Sequence, residues 1–326
     1  GKYVLSTFFI ICITFTFIIA CFLAVSPIAI DDCSERCASL KRANPVNTHY
    51  FEMKPSVHKL GVLVPFRDRF EELLIFAPYI HEFLNRQEIN HHIYVLNQVD
   101  DFRFNRASLI NVGFQVARDE CDYVAMHDVD LLPLNPQLLY TYPENQPLHI
   151  ASPDLHPRYH YRTFVGGILL IKREHFERVN GMSNKYWGWG LEDDEFYVRL
   201  KEAGNVTRPV NITTGPENTF RHIHDKVKRK RDMTKCFNQR DITRRRDRQT
   251  GLSNVAYKVN SKNEVIIDGA PITIVNIELS CDRNLTPWCD CNDTVGKKNN
   301  STIHTQIKPK SNNVAQSSKK KNISVA

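Results

Sequence analysis

Strand-like and helix-like segments alternate from residue 58 to residue 133, and this alternation is the strongest constraint on the fold. Short apolar runs predict strands at 59–66, 91–98 and 121–133, and helical apolar spacing predicts helices at 69–87 and 106–120. This order is typical of an α/β protein with a mostly parallel central sheet and flanking helices. Because such sheets bind ligands beyond the carboxyl ends of their strands, we expect functional residues at 65–69 and 127–130.

The N-terminal segment predicts a transmembrane anchor. Residues 3–30 carry no charged side chain, and about 20 apolar residues suffice to cross a bilayer. The apolar core of a cleaved signal peptide is shorter, roughly 7–15 residues, so we favour an uncleaved anchor over residues 1–30. Lys2 before the apolar run and Asp31 and Asp32 after it favour a single-pass type II orientation, with the bulk of the chain in the lumen.

Composition divides the rest of the chain into three parts. Residues 31–57 are polar and are expected to form a stem, residues 58–291 a folded domain, and residues 292–326 a disordered basic tail. Residues 296–326 contain seven Lys and no Asp, Glu or Arg, which accounts for the whole net charge of +7. The charge is therefore poor support for nucleic-acid binding, and we expect no nucleic-acid partner.

Glycosylation sequons and cysteines agree with a lumenal address. Seven Asn-x-Ser/Thr sequons occur, and seven of the nine cysteines lie outside the anchor, where an oxidising lumen permits disulfides. The cluster CDRNLTPWCDC at 281–291 is the favoured place for a disulfide; the sequence does not decide the pairing, and Cys281 with Cys289 is one candidate. The odd number predicts at least one cysteine that is free or pairs between chains.

Two short patterns predict a metal site. Asp128-Val129-Asp130 follows an apolar strand, where carboxylates can hold a divalent cation against a diphosphate, although Asp-x-Asp is also common in solvated turns. In His222-Ile223-His224 the two imidazoles would point to the same side of an extended chain. A mixed carboxylate and imidazole set favours a transition ion over Mg²⁺, so Mn²⁺ fits best if these residues share one ion.

A third pattern, YWGWGLEDDE at 186–195, predicts a sugar site. Two Trp interleaved with two Gly make a poor helix and a poor buried strand. An aromatic plane beside carboxylates suits a sugar, which stacks through its C–H faces and hydrogen-bonds through its hydroxyls. The four acids also fit the start of a helix over the following FYVRLKEAG.

These patterns together resemble the β-1,4-galactosyltransferase family. The resemblance rests on PFRDR (65–69), FNRA (104–107), HDVD (127–130), FVGGILL (164–170), WGWGLEDDE (187–195) and HIH (222–224). His-x-His and the tyrosine pair of HPRYHYRTF most resemble the branch that transfers galactose to xylose in the proteoglycan linkage region. The resemblance implies a GT-A-type catalytic domain at 58–291, UDP-galactose as donor, xylosylated proteoglycan core protein as acceptor, Mn²⁺ as cofactor and residence in the Golgi membrane.

The resemblance also implies residue roles. Donor contacts are expected from Pro65, Phe66, Arg67, Arg69, Phe104, Arg106, Asp128, Gly166, Gly167 and Trp189. Metal ligation is expected from Asp130, His222 and His224. Asp193 is expected to be the catalytic base, and acceptor contacts are expected from Tyr159, Tyr161, Trp189, Glu192, Asp193 and Asp194.

Several alternatives remain open from the sequence. The same fold could accept N-acetylglucosamine or transfer N-acetylgalactosamine, and a catalytically silent sugar-binding membrane protein is a further, less favoured reading. Gly181, Gly188 and Gly190 could serve as hinges of a lid over the donor, or only form tight turns. Residues 226–248 hold eleven Lys and Arg, which fit either a solvated surface or a platform for acidic acceptors.

Overall fold

The structure, a computed structural model, describes residues 57–292. Within these residues lie nine strands: β1 (Leu60–Phe66), β2 (His91–Gln98), β3 (Tyr123–His127), β4 (Leu131–Pro133), β5 (Leu148–His149), β6 (Ile168–Lys172), β7 (Phe220–His222), β8 (Tyr257–Ile267) and β9 (Ala270–Leu279). The helices in this part of the chain are α1 (Phe70–Asn85), α2 (Arg106–Ala117), α3 (Arg173–Arg178), α4 (Glu192–Ala203), α5 (Pro216–Thr219) and α6 (Gln239–Ile242). The positions of β1, α1, β2 and α2 confirm the sequence predictions to within a few residues.

The central sheet is mixed. Its strand order is β5-β6-β3-β1-β2-β9-β8. β1 is parallel to β2 and β3, and β2 is parallel to β9, but β6 is antiparallel to β3 and β5, and β8 is antiparallel to β9. The expectation of a mostly parallel sheet is therefore wrong at both edges. At one edge the cause is local, because the Asp268-Gly269 turn has positive φ angles of 45° and 84° and joins β8 directly to β9 as a hairpin.

The segment 121–133, expected to be one strand, forms two. β3 ends at His127, and after the Asp128–Asp130 turn β4 leaves the central sheet to pair with β7, with Leu131 opposite His222. The apolar run continues through the acids, so its pattern does not show that the chain changes partners there. This change of partner brings Asp130 close to His222.

Helices cover both faces of the sheet around β1. Val62 and Val64 pack in one apolar cluster with residues of α1, whereas Leu63 packs in a second cluster with residues of α2. This alternation is the period of two expected for a strand, and all seven residues of β1 are buried. The two-sided burial fixes the central strands, so the residues that follow their carboxyl ends are held on a rigid base.

Two disulfides lie near the carboxyl end of the described residues. Cys281 pairs with Cys289 inside the cluster favoured from the sequence, and Cys236 pairs with Cys291, which the sequence did not indicate. Among the cysteines of residues 57–292, Cys121 is free and buried.

The predicted transmembrane anchor is not among the residues that the structure describes. None of the helices between residues 57 and 292 combines the length and the apolar character needed to span a membrane. The predicted anchor at 1–30, the predicted stem up to residue 56 and the predicted tail from residue 293 lie outside the described residues.

Candidate active site

Arg67, immediately after β1, is held by the loop that follows β2. Its guanidinium donates to the main-chain carbonyls of Gln98 at 3.3 Å, Asp100 at 2.8 Å and Phe102 at 2.6 Å. It also lies 6.0 Å from the centre of the Phe104 ring. Two of the residues expected to contact the donor, Arg67 and Phe104, are thus adjacent, and Arg67 ties the ends of β1 and β2 together.

The other two expected donor contacts near this edge lie within β1. Pro65 is opposite Leu96 of β2, and Phe66 belongs to the apolar cluster around α1 and is only 9% exposed. In this structure, Pro65 and Phe66 therefore pack beneath the site more than they face solvent.

Arg106 and Asp128 form a pair between α2 and the end of β3. The Asn105 side chain caps α2 by accepting a hydrogen bond from the Ser108 main-chain nitrogen at 2.9 Å, which fixes the first turn. Arg106 Nε and Nη2 lie 2.9 Å and 2.8 Å from Asp128 Oδ1. Burial opposes the charge of Arg106, but the nearby carboxylates, first Asp128 and then Glu192, outweigh it and raise its pKa. Arg106 therefore remains a cation.

The three expected metal ligands lie together. β7 ends at His222, and Ile223 continues the extended path by donating its main-chain N–H to the Asp130 carbonyl at 2.9 Å. His224 Nδ1 lies 3.1 Å from Asp130 Oδ2, and His222 Nε2 lies 3.9 Å from Asp130 Oδ1. Arg69 Nη1 is also present, 3.1 Å from His224 Nδ1 and 3.9 Å from Asp130 Oδ2.

The chemistry of this set fits a transition-metal ion. Burial lowers the pKa of His222 to about 3 and also lowers that of His224, so both imidazoles are neutral near pH 7, as metal ligands must be. Neighbouring ligands about 2.1 Å from an octahedral ion lie about 3 Å apart. The His224–Asp130 separation of 3.1 Å agrees with this value, whereas the His222–Asp130 separation of 3.9 Å is longer. No three His, Cys, Asp or Glu side chains of residues 57–292 already form a complete ligand set. An ion shared by Asp130, His222 and His224 would therefore need small side-chain shifts, with Arg69 moving aside.

Asp193 lies in the first turn of α4 among other acids. The Asp194 main-chain nitrogen donates to Asp193 Oδ1 at 3.0 Å. Burial, with the neighbouring Glu192 and Asp194 carboxylates, raises the pKa of Asp193 to about 8, although Arg106 acts in the opposite direction. A carboxyl group with this pKa can take and release a proton near neutral pH.

The fourth acid of the run has a different environment. Glu195 is buried and accepts hydrogen bonds from Arg199 Nε at 3.1 Å and 2.8 Å. Arg246 also contacts Glu195, at 2.5 Å, and Arg199 donates to the Thr250 carbonyl at 2.8 Å. This network fixes α4 to the segment around residue 247. The three acids that precede Glu195 take no part in it.

Gly166 and Gly167 bring the backbone close to Asp193 and Asp128. A Cβ at residue 166 would lie 3.0 Å from Asp193 Oδ2 and 2.6 Å from Phe164 Cε2, so the close approach requires glycine. Gly167 has a φ of +76°, and its carbonyl accepts a hydrogen bond from the Asp128 main-chain nitrogen at 2.9 Å. The 166–167 segment therefore links Asp193 with Asp128.

Aromatic side chains lie beside Asp193. The rings of Tyr159 and Tyr161 are 5.0 Å and 5.5 Å from that of Phe164, and Tyr161 and Trp189 are 43% and 39% exposed. Burial, together with the negative charge of the Asp193 carboxylate, raises the pKa of Tyr161. Trp187, by contrast, is buried, so only the second Trp of the WGWG pattern is available to a sugar.

Arg231 joins this aromatic group although the sequence did not single it out. Its guanidinium lies 4.5 Å from the centre of the Trp189 indole, and its Nη2 donates to the Tyr159 hydroxyl. The Trp189 main-chain nitrogen donates to the Asp232 carbonyl at 2.9 Å, and Arg103 Nε holds the Asp232 carboxylate at 2.6 Å. The only sequence signal was the basic character of 226–248, which does not show which cation reaches an aromatic ring.

Comparison with known proteins identifies the family. Residues 146–223 match the family described as the N-terminal domain of galactosyltransferase, and residues 31–143 match the N-terminal region of glycosyl transferase group 7. The β-1,4-galactosyltransferase 7 of Drosophila melanogaster is 66% identical over 241 residues, which cover 73% of this chain and 75% of that protein. The chain belongs to the β-1,4-galactosyltransferase family.

Its similarity to other β-1,4-galactosyltransferases differs between branches. The Caenorhabditis elegans protein named xylosylprotein 4-beta-galactosyltransferase is 50% identical over 251 residues, 74% of this chain and 86% of that protein. Human β-1,4-galactosyltransferase 1 is 37% identical over 209 residues, 63% of this chain and 52% of that protein. The similarity is thus greater to the branch already indicated by His-x-His and the tyrosine pair.

Solved structures confirm the fold of this β-1,4-galactosyltransferase. The catalytic domain of Drosophila β1,4-galactosyltransferase 7 in complex with xylobiose matches with a TM-score of 0.72 and 66% identity, and the match covers 72% of this chain and 100% of that one. An aspartate-to-asparagine variant of the fly enzyme, in complex with manganese, UDP-Gal and xylobiose, matches with the same TM-score. The expected GT-A-type galactosyltransferase fold is confirmed, with a mixed central sheet.

Proposed function

We propose that the chain transfers galactose from UDP-α-galactose, with inversion, to the 4-hydroxyl of xylose on a proteoglycan core protein, forming a β-1,4 linkage. The fly relative binds manganese, UDP-Gal and xylobiose, and the nematode relative is named for xylosylprotein as its acceptor. The observation that carries the proposal is the 166–167 segment, which contacts both Asp193, the expected base, and Asp128, beside the expected donor contact Arg106.

The reaction is a single displacement. The 4-hydroxyl oxygen of xylose forms a bond to the anomeric carbon of galactose while the bond from that carbon to the diphosphate breaks, and the electron pair leaves with UDP. Asp193 takes the hydroxyl proton, as its raised pKa suits. Trp189 and Tyr161 present exposed rings on which the acceptor sugar can pack.

The donor side of the reaction depends on cationic groups. Arg106, held by Asp128, and Arg69, beside His224, supply positive charge near the expected donor position. Asp130, His222 and His224 would hold Mn²⁺, and the bound ion would stabilise the negative charge of the leaving diphosphate. Preorganised charges of this kind reduce the reorganisation needed in the transition state.

Part of the proposal concerns the location of the enzyme. We place it in the Golgi membrane as a single-pass type II protein with a lumenal catalytic domain. The uncharged segment 3–30, the charges on either side of it and the seven sequons support this location. The Cys236–Cys291 and Cys281–Cys289 disulfides suit an oxidising compartment.

A transfer assay tests the function. The full chain is incubated with radiolabelled UDP-galactose and either a simple β-xyloside or a β-N-acetylglucosaminide, with Mn²⁺ or with a chelator. We expect Mn²⁺-dependent transfer to the xyloside. Equal or greater transfer to the N-acetylglucosaminide would instead support the alternative acceptor, and transfer to neither sugar would refute the proposal.

A further inference from the structure

Three lysines form an exposed cationic patch next to the candidate active site. The side chains of Lys226, Lys228 and Lys230 are exposed, and no described residue forms an ion pair or a side-chain hydrogen bond with them. Val227, which lies between two of them, is 82% exposed. We call these three lysines the lysine patch.

Hydrogen bonds and an ion pair hold the backbone that carries the lysine patch. Asp225 Oδ1 accepts hydrogen bonds from the main-chain nitrogens of Val227 at 2.8 Å and Lys228 at 3.2 Å. Arg229 points the other way and pairs with Glu72 of α1 at 2.9 Å. The Asp225 turn and the Arg229–Glu72 pair thus hold the backbone on either side of Lys228.

The same segment reaches the acceptor side of the site. Directly after Lys230, Arg231 lies over the Trp189 indole and donates to the Tyr159 hydroxyl. Both aromatic residues are expected acceptor contacts. The segment that carries the lysine patch is thus continuous, through Arg231, with the expected acceptor contacts.

We propose that the lysine patch binds an acidic stretch of the acceptor polypeptide near the residue that bears the xylose. This inference rests on the proposed function, in which the acceptor sugar is attached to a protein. The charge of the patch is complementary to Asp and Glu side chains, and its solvated position suits a polypeptide that crosses the protein surface. The donor diphosphate fits the patch less well, because Arg69 and Arg106 already lie at the expected donor position.

The test compares two xylosylated peptides of equal length. The acidic peptide has Asp and Glu around the xylosylated serine, and the neutral peptide has Asn and Gln at the same positions. The variant is K228Q/K230Q, which leaves Lys226 intact because it is two residues from His224. The control is K258Q/K262Q, which removes two exposed lysines of the edge strand β8. For each full-length protein, kcat/KM is measured for both peptides, together with the KM for UDP-galactose.

The unaltered enzyme and K258Q/K262Q are expected to prefer the acidic peptide by about fivefold at low salt, and K228Q/K230Q by less than about twofold. The preference should also decrease in about 0.3 M NaCl, because salt screens exposed charges. Equal kcat/KM for both peptides in the unaltered enzyme, or an unchanged preference in K228Q/K230Q, would overturn the inference. A raised KM for UDP-galactose with an unchanged preference would overturn it too, because the lysines would then serve the donor.

Binding of the labelled peptides, followed by fluorescence anisotropy, separates this inference from the proposed function. Absence of transfer to any xyloside would refute the function, yet tighter binding of the acidic peptide that depends on Lys228 and Lys230 would still support the patch. Equal binding of both peptides, combined with lysine-dependent binding to vesicles of anionic lipid, would assign the patch to a membrane surface and overturn the inference.

Discussion

Replacing Asp193 by Asn keeps the size of the side chain but removes its ability to take a proton. A general base contributes typically ~10²- to 10⁴-fold to a rate, so kcat should fall by at least about 100-fold. Arg106 and Asp128, which lie at the expected donor position, keep their contact of 2.9 Å, so the affinity for UDP should change little. Glu264→Gln, which removes an exposed carboxylate of β8, is the matched control and should retain full activity.

The pKa of Asp193 gives this prediction a pH dependence. Burial and the Glu192 and Asp194 carboxylates raise that pKa to about 8, and the base acts only when it is ionised. Near pH 6, two units lower, roughly 1% of the group is ionised, so kcat/KM of the unaltered enzyme should be about 100-fold below its plateau. Because the three acids interact, the measured profile describes the group as a whole.

The same pKa predicts the sign of a stability change. The unfolded chain loses the Asp193 proton near pH 4, whereas the folded protein retains it up to about pH 8. Between these values the unfolded state binds fewer protons, so this group lowers the free energy of unfolding as the pH rises. Asp193→Asn should therefore be at least as heat-stable as the unaltered protein at pH 8, with a smaller difference at pH 5. A variant with kcat within tenfold of the original, or a flat pH profile below pH 8 in the unaltered enzyme, would refute the assignment of the base.

Three further predictions concern the metal ligands, the backbone and a disulfide. His224→Ala should raise the Mn²⁺ concentration for half-maximal activity at least tenfold, and an unchanged titration would exclude His224 as a ligand. Gly166→Ala should lower kcat with little change in the circular dichroism spectrum, because its Cβ would lie 3.0 Å from Asp193 Oδ2; near-normal turnover would show that the approach is not needed. Cys236→Ser opens a disulfide whose cysteines are 55 residues apart, so urea titration should show a loss of about 4 kcal/mol in the free energy of unfolding; a loss below about 1 kcal/mol would contradict this estimate.

The parts of the fold that the sequence predicted correctly depend on local patterns. β2 has the predicted bounds, 91–98, and α2 begins at the predicted Arg106, where the Asn105 cap defines the helix start. The parts that were wrong depend on distant partners. Neither the pairing of β4 with β7 nor the antiparallel edges can be read from apolar periodicity, since a strand has the same period whichever strand it pairs with.

The candidate site shows the same division. The family resemblance implied that Asp130, His222 and His224 would lie together, and an extended His-x-His, which presents both rings on one side, agreed with it. The sequence did not indicate that Arg69 would contact His224 or that Arg231 would lie over Trp189. Both arginines could reach several partners, and the choice depends on how distant segments pack.

The acidic run at the start of α4 shows how one short sequence provides two chemical environments. Asp193 and Glu195 are two residues apart, which separates their side chains by about 200° around a helix. Glu195 therefore faces Arg199 and Arg246, which neutralise it and hold the helix in place. Asp193 faces Gly166 and has no arginine within hydrogen-bonding distance among the described residues, so burial can raise its pKa. An ion pair to Asp193 as close as that of Glu195 would lower this pKa and make the carboxylate a weaker base, so the separation of the two acids is what allows the run both to anchor the helix and to carry the chemistry.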